Sequence, residues 1–494
     1  MQEWLIDKEY GELLGLLYTL FSEQRVTQTY QELTEKTGLR KEKIITLVQL
    51  FFAETSENLS MQDVEITLHS KSIGVIFHPT FHLNKYLSYF IKQSAAFQIL
   101  ETLFLDEFES VEKMAREINY SVATVQRKLK EIRIGLEAYD VKFSTRGKEY
   151  FGGTEMNIRY FFFCLYWKIY QLDEWPLTQV SEEKMSKAVE ILYPENLEVE
   201  YVLENQLKIW LGVTEIRLKQ GKNLRSFSKR RVPSSPFYPW EQFLSCYEKT
   251  IEQGFLLRGK NELNYLYLII HYFHQPLLRD CQNLELEEQT LNDYLEEEAV
   301  TSWITTFEQV FSLELERYEL FYLAVNLRPL FQFYQVHKGA IDPFGEEGLA
   351  SVYQEKEPVW HIVHQKFQSE LVQCKTHDFI NYYIGNPRLS IIFGTLVQTI
   401  IENHRPVLKV LVYSKMGRIR RAMLEKKISE NTEQRLKFVC SMEEQPDFII
   451  GDQELYFKKM QEIPQIILHT FPDIMDWQRL RRYLAKLEIE RLIK

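Results

Sequence analysis

The segment that most constrains the fold is Glu109–Ile132, with the sequence ESVEKMAREINYSVATVQRKLKEI. It is predicted to form two short helices around a three-residue break. In the second helix, Val125, Leu129 and Ile132 recur at helical spacing and make one apolar stripe. Ser121 stands where a side chain caps a helix N-terminus. The segment therefore predicts a helix-turn-helix unit.

The side of this second helix opposite its apolar stripe is predicted to be small and basic. At about 100° per residue, Ala123, Arg127 and Lys130 lie opposite the stripe, and Thr124 and Lys128 lie on its flanks. We expect the basic side chains to be exposed. Small residues near the N-terminus of such a helix allow close approach to a major groove, where Arg and Lys reach bases and phosphates. The alternative is an ordinary solvated amphipathic helix.

The segment after the helix, VKFSTRGKEYFGG, alternates around Thr145-Arg146-Gly147 and predicts a hairpin wing. Arg146 at its tip and Lys148 beside it are candidates for phosphate or minor-groove contacts. From Arg127 to Lys148 there are seven basic residues against three acidic ones, a local excess of four positive charges. DNA contact is therefore compatible with a formal net charge of −11 over the whole chain.

A first helix-turn-helix is predicted near the N-terminus. Its helices read TYQELTEKTG and LRKEKIITLVQLFFAE, and Gly38 between them suits a left-handed helix end. A small hairpin around Ser70-Lys71-Ser72 follows. Arg40, Lys41 and Lys43 open the second helix and form a second candidate DNA contact. A structural helical pair with a charged first turn explains this pattern equally well.

The chain has 494 residues, too many for one core, and predicts a multidomain protein. Its longest apolar runs are much shorter than the roughly 20 residues of a membrane span, and no export leader is recognisable. Five cysteines lie scattered without a CxxC pair, which fits reduced thiols in a cytoplasm. We expect a cytoplasmic protein without a membrane segment, metal or cofactor.

The remainder of the chain changes character once. Helical periodicity dominates from Asn157 to about Asn403 and is most simply divided into two bundles. After that, PVLKVLVYS, RLKFVCS, DFIIGD and IPQIILHT read as short strands that alternate with helical stretches. This pattern predicts a small α/β domain with a mostly parallel sheet.

The order of these units, with SVEKMAREINYSVATVQRKLKEI followed by YFGGTEMNIRYFFF and by WLGVTEIRLKQGKNL, resembles the Mga/AtxA group of virulence and carbohydrate-responsive transcription regulators. The resemblance implies a mostly α fold with two winged helix-turn-helix domains, two all-α phosphotransferase regulation domains and a C-terminal domain like the enzyme IIB component of the sugar phosphotransferase system. The corresponding boundaries are 1–79, 80–154, 155–285, 286–403 and 404–494.

Regulation domains of this family are phosphorylated on histidine. The candidate acceptors are His271, His274, His337 and His377. In ELFYLAVNLRP, Asn326 stands where the family has a histidine, and asparagine cannot carry the phosphoryl group. A histidine on an apolar helix is also commonly a core residue.

Enzyme IIB components carry a phosphorylated cysteine after their first strand, but this chain has Tyr413 and Ser414 there, so no thiolate is available. The basic side chains of Lys415, Arg418, Arg420 and Arg421 remain candidates for an anion at the helix start. We interpret the domain as a folded remnant used for dimerisation or sensing, without catalysis.

The leading hypothesis is a cytoplasmic regulator, not an enzyme, that binds double-stranded DNA. It is expected to form a homodimer through its C-terminal half and to meet phosphocarrier proteins of the phosphotransferase system. Two alternatives stay open. One is a phosphotransferase component or phosphocarrier, and the other is an antiterminator that binds RNA.

Overall fold

The computed structural model of the chain describes residues 4–23, 25–58, 63–145, 149–170, 174–193, 200–225, 227, 233–337, 358–373, 387–453 and 463–492. It is a mostly helical multidomain fold with a small parallel sheet at the C-terminal end, so the predicted fold class is confirmed. The chain divides into two compact units, Met1–His274 with Gln332–Glu346 and Gln275–Phe331 with Glu347–Lys494. The five domain boundaries stay a prediction.

The first helix-turn-helix begins the first unit and is followed by a hairpin. Its elements are α1 (Lys8–Glu23), β1 (Thr27–Thr29), α2 (Tyr30–Thr37), α3 (Lys41–Asn58), β2 (Val64–Leu68) and β3 (Ser72–Phe77). Gly38 has φ 71° and its N–H bonds the Thr34 carbonyl, as expected of a left-handed helix end. The strands form an antiparallel sheet in the order β1-β3-β2. The hairpin was predicted, whereas β1 was not.

The second helix-turn-helix repeats this plan with a hairpin at its end. Its elements are α4 (Leu83–Gln93), α5 (Ala95–Phe104), α6 (Val111–Glu117), α7 (Val122–Glu137), β4 (Val141–Phe143) and β5 (Phe151–Gly153). Ser110 caps α6 through the Lys113 N–H. Strands β4 and β5 pair antiparallel, with Phe143 opposite Phe151, as the alternating sequence predicts.

A helical bundle continues the first unit. Its helices are α8 (Glu155–Tyr170), α9 (Glu182–Leu192), α10 (Tyr201–Lys219), α11 (Trp240–Glu252) and α12 (Glu262–Phe273). Nearly every residue of α8 from Asn157 to Tyr166 is buried, which accounts for a sequence that is apolar on all sides. Trp210 of α10 packs its ring against Phe163 and Phe273.

The second unit begins with helices and ends with the α/β domain. Its helices are α13 (Leu278–Gln282), α14 (Glu288–Leu295), α15 (Glu298–Phe311), α16 (Arg317–Val336, whose last residues belong to the first unit), α17 (Pro358–Gln373) and α18 (Pro387–His404). The α/β domain comprises β6 (Leu408–Val412), α19 (Arg418–Asn431), β7 (Leu436–Val439), a 3-10 turn (Met442–Glu444), β8 (Phe448–Gly451), β9 (Gln465–Ile467) and α20 (Ile474–Leu492). All four strands are parallel, in the order β7-β6-β8-β9, and coincide with the four predicted strands.

The described helices include none that is both long and apolar enough to cross a lipid bilayer.

Candidate nucleic-acid interface

Helix α7 is built as its sequence predicts. The Ser121 hydroxyl accepts the Thr124 N–H at 3.1 Å and caps the helix. Val125, Leu129 and Ile132 are all buried, so the apolar stripe is confirmed. The turn before the helix contains Asn119 with φ 57°, a left-handed conformation that Asn tolerates better than most residues. Local sequence therefore fixes which side of α7 meets the core.

The opposite side of α7 is open. We call the exposed residues Val122, Ala123, Gln126, Arg127 and Lys130 the outer face of α7. The Arg127 side chain is 67% exposed and its Nε lies 3.8 Å from Glu131 Oε1. Among the described residues, no carboxylate lies within ion-pair distance of Lys130. Ser121 is also exposed, and Thr124 is half-buried.

Lys128 does not belong to this face, and the prediction that it is exposed is wrong. Its side chain is only 7% exposed, and its Nζ lies 3.1 Å from Asp7 Oδ1 and 3.2 Å from Glu131 Oε2. The helical angle placed Lys128 on a flank, and a segment far upstream in sequence covers that flank. Lys128 is therefore a structural cation.

This covering segment consists of residues 4–7. The Asp7 carboxylate accepts hydrogen bonds from the Tyr120 hydroxyl at 3.0 Å and from the Ala95 N–H at 3.4 Å, in addition to its ion pair with Lys128. Burial, followed by the charge of Asp7, raises the pKa of Tyr120 to about 12, so the phenol stays a hydrogen-bond donor. The Trp4 ring lies directly against Gly135 of α7. We call residues 4–7 the N-terminal clamp, because they fix α7 from the side away from its outer face.

The hairpin after α7 is partly described. Lys142 is exposed on β4, and the Arg133 Nε donates to the Phe143 carbonyl at 3.3 Å. Glu149 accepts a hydrogen bond from Lys222 at 2.8 Å, which lowers the pKa of its carboxyl. Arg146 and Lys148, the predicted wing contacts, lie outside the described residues.

The first helix-turn-helix offers fewer available cations than its sequence suggests. Lys43 lies 3.0 Å from a Glu12 oxygen and 3.4 Å from a Glu9 oxygen, so two carboxylates of α1 offset its charge. Lys41 donates to the Ser70 carbonyl at 2.8 Å. Arg40 is exposed, and in the part of the chain that the structure describes it has no ion-pair partner. Arg40 is thus the best placed of the three for a phosphate.

A buried charge network joins three helices of the bundle. The Arg159 guanidinium, on the turn of α8 that follows β5, donates twice to Glu262 of α12 and once to Glu155. Arg217 of α10 donates twice to the same Glu155. Arg159 is fully buried. Helices α8, α10 and α12 are therefore held together by buried charges, whose separation is costly.

Two of the four candidate phosphoacceptor histidines, His271 and His337, are buried. His271 is buried, its Nδ1 bonds the Tyr267 carbonyl at 2.9 Å, and burial lowers its pKa to about 4. His337 is buried as well. Its Nδ1–H donates to Phe333, its Nε2 accepts from the Tyr265 hydroxyl at 2.7 Å, and burial lowers its pKa to about 3.

The other two candidate histidines differ from this pair. His274 is half-buried at the end of α12, and His377 lies outside the described residues. Asn326 is buried, and its amide donates to the carbonyls of Pro276 and Tyr322. Asn326 therefore has a structural role at the position where the family resemblance implies a histidine.

In the C-terminal domain, a carboxylate of the chain itself occupies the loop after β6. Asp452 accepts the Ser414 hydroxyl at 2.7 Å and the Lys415 N–H at 2.8 Å, and it is only 8% exposed. Arg420 is engaged elsewhere, since it bonds the Thr470 carbonyl and lies over the Phe471 ring. Arg421 pairs with Glu425 at 2.8 Å, whereas Lys415 and Arg418 are exposed. An added anion would have to compete with Asp452.

Within the described ranges, His469, Asp473 and Asp476 form one group whose possible ligand atoms lie within 4.8 Å of one another. Asp476 already accepts hydrogen bonds from the His469 ring, from two backbone N–H groups and from Arg479. These bonds are those of a helix N-terminus, so we assign no metal to the group.

Gln126 and Val122 were missed by sequence reasoning, which searched α7 for cations. Their helical positions, one and two turns before Lys130, were readable from the same pattern that placed Arg127.

Comparison with known proteins also finds a helix-turn-helix domain in the part of the chain that contains α7. A family model described as the Mga helix-turn-helix domain matches residues 79–166. A protein of Streptococcus pneumoniae serotype 4 (strain ATCC BAA-334 / TIGR4) named "Putative trans-acting regulator" is 25% identical over 222 residues. The matched region covers 44% of this chain and 43% of that relative, less than half of either. The two findings support a Mga-like regulator family and a role in transcription regulation.

Proposed function

From the Mga helix-turn-helix domain at residues 79–166, we propose that the chain is a cytoplasmic, dimeric transcription regulator that grips duplex DNA with the outer face of α7. The observation that carries the proposal is the exposure of Arg127 and Lys130 on a capped helix whose other side is buried. Arg127 loses little by leaving Glu131, because an exposed pair contributes only about 0.2–1 kcal/mol. A phosphate can therefore replace that carboxylate.

The remaining contacts extend this surface. Ser121 and Thr124 offer hydroxyls at the helix N-terminus, where phosphates are favoured. Ala123 allows close approach, Arg40 supplies a second site, and Arg146 and Lys148 of the wing remain proposed contacts. Lys128, Lys41 and Lys43 are left out of the set because protein groups already engage them.

The test is a mobility-shift titration at several salt concentrations with the wild type and with Arg127→Ala/Lys130→Ala. Each phosphate contact contributes about 0.9 to the slope of log affinity against log salt, so the double variant is expected to lose close to two from that slope. Lys426→Ala/Lys486→Ala is the matched control, because both lysines are at least 75% exposed in the C-terminal domain and the change in net charge is the same. Its slope should not change.

Two outcomes oppose the proposal. The proposed function would be contradicted if the wild type did not bind duplex DNA at micromolar protein and physiological salt. If the slope of log affinity against log salt were the same for the double variant and the wild type, the assignment of the phosphate contacts to α7 would be wrong. A hairpin RNA included as competitor separates the antiterminator alternative, which requires RNA to displace the duplex.

For the dimer, the supporting feature is a group of exposed apolar side chains at one edge of the C-terminal domain. They lie at the N-terminal ends of α19 and α20 and in the segments just before these helices, and comprise Met416, Ile419, Met423, Phe471, Ile474 and Met475. Arg420, which contacts both Thr470 and Phe471, joins the two parts. A second copy is the proposed occupant, because a symmetric pair of helix-turn-helix units reads two half-sites.

Sedimentation velocity tests this surface. Ile419→Asp/Met475→Asp is expected to weaken the dimer at least tenfold, and Lys426→Asp, on the same helix, should leave it unchanged. A wild type that stays monomeric over the whole micromolar range would contradict the proposal.

Control by carbohydrate status through the phosphotransferase system, with a virulence-type activator role, completes the proposal. His274 is the best acceptor among the described candidates, because His271 and His337 are buried. Incubation with phosphoenolpyruvate and the general phosphocarriers should label the wild type and not His274→Ala. Label that passes on to sugar would instead favour a phosphocarrier, a role for which the Tyr413-Ser414 loop offers no thiolate.

A further inference from the structure

We propose that Gln126 reads an adenine in the major groove and so sets part of the sequence preference of this protein. The inference rests on the proposed function and goes beyond it, since cations on α7 explain affinity for duplex DNA but not sequence specificity. Gln126 is exposed on the outer face of α7, four residues after Val122 and four before Lys130. Residues four apart lie one above the other along a helix.

The amide of Gln126 is unoccupied. Within the residues that the structure describes, no group hydrogen-bonds its side chain, whereas other glutamines of this unit, such as Gln31 and Gln220, are bonded to protein groups. A glutamine amide presents one donor and one acceptor side by side, which match N7 and N6–H of adenine in the major groove. Arg127 beside it prefers guanine or a phosphate, so the two neighbours do not compete for the same group.

The neighbours of Gln126 allow it to approach a base edge. Ala123 and Val122 occupy the preceding turn and are small, so the helix N-terminus can lie deep in the groove. Val122 is 38% exposed, and its methyl groups suit contact with a thymine methyl. The N-terminal clamp holds α7 by its opposite side, which keeps the amide from shifting along the groove.

The experiment is selection of binding sites from a randomised duplex library with the full chain. It compares the wild type, Gln126→Ala and Gln126→Glu, with Gln93→Ala as control, because Gln93 is an exposed glutamine on α4. The wild-type motif should contain an adenine position at which Gln126→Ala loses its preference while the other positions keep theirs. Gln126→Glu should shift that position towards cytosine, whose amino group a carboxylate accepts.

Affinity measurements complete the test. Gln126→Ala should bind the selected site about 5- to 150-fold more weakly, equivalent to the 1–3 kcal/mol of one bidentate base contact, and bind random duplex equally well. Replacing that adenine by 7-deazaadenine should weaken the wild type and leave Gln126→Ala unaffected. A motif that is the same for the wild type and Gln126→Ala overturns the assignment, although duplex binding persists. Loss of all duplex binding by the wild type would instead overturn the proposed function.

Discussion

Gly135 offers the sharpest test of how α7 is held. A glycine in a helix interior is normally about 0.8–1.0 kcal/mol worse than alanine. At Gly135, however, an added Cβ would overlap the Trp4 ring, so either the ring or the helix must shift. Overpacking of this kind costs roughly 1–3 kcal/mol. We therefore expect Gly135→Ala to destabilise α7 by about 1 kcal/mol net, although the substitution favours a helix.

The matched control is Gly15→Ala in α1. Gly15 is exposed, and an added Cβ there meets no atom within 4 Å. The substitution changes only the helix propensity, which is higher for alanine than for glycine. Gly15→Ala should therefore stabilise α1 by up to about 1 kcal/mol. The two glycine-to-alanine substitutions should thus have opposite effects on the stability of their helices.

Amide hydrogen exchange followed by mass spectrometry measures the change in stability of α7 and of α1, because it reports the opening of individual helices in a multidomain chain. Exchange in α7 should accelerate about fivefold in Gly135→Ala, and exchange in α1 should slow by up to about fivefold in Gly15→Ala. If Gly135→Ala slowed exchange in α7 instead, Trp4 would not occupy the place described and the N-terminal clamp would have to be abandoned.

Three further predictions concern other parts of the chain. Burial lowers the pKa of His271 to about 4 and that of His337 to about 3, so both rings stay neutral in the folded chain while the unfolded chain binds protons below about pH 6.5. The stability is therefore complete above about pH 6.5 and is lost as pH falls, towards 4 for His271 and towards 3 for His337. The free energy of unfolding from urea titrations should be about 2 kcal/mol per ring lower at pH 5 than at pH 7, with a smaller loss in His337→Gln. Glu262→Ala leaves the Arg159 charge buried with fewer partners and should cost about 3–5 kcal/mol, visible as faster exchange in α8; unchanged exchange would contradict the network. Asp452→Ala frees the Ser414 hydroxyl and the Lys415 N–H, so inorganic phosphate should slow exchange of that loop in the variant but not in the wild type.

Local pattern was enough to predict the helices and hairpins of both helix-turn-helix units, although not strand β1. Ser121 and the stripe from Val125 to Ile132 act within one helix, so a short window of sequence contains all the information required. The four C-terminal strands were predictable for the same reason, since a buried parallel strand is a short continuous apolar run.

Pairings between distant segments were not predictable. The burial of Lys128 depends on Asp7, a residue far upstream in the sequence. The hydrogen bond of Tyr120 to the same carboxylate spans 113 residues. A short window of sequence around Lys128 contains Glu131 but not Asp7. The burial of His337 was not predictable for a related reason, because it depends on Tyr265 and on rings from several helices. A histidine on an apolar helix has the same local sequence whether it is a core residue or a reachable acceptor.

The N-terminal clamp also bears on the order of synthesis and on how the gene can be divided. Residues 4–7 are synthesised before α7, so their docking site on Gly135 and Lys128 does not exist until α7 has been translated. A gene fragment that starts at Thr80, the predicted domain boundary, would encode the whole second helix-turn-helix but would lack the carboxylate and the indole that complete it. A fusion or shuffled gene that carries the second helix-turn-helix therefore needs the codons for residues 4–7 as well, to keep these contacts with α7.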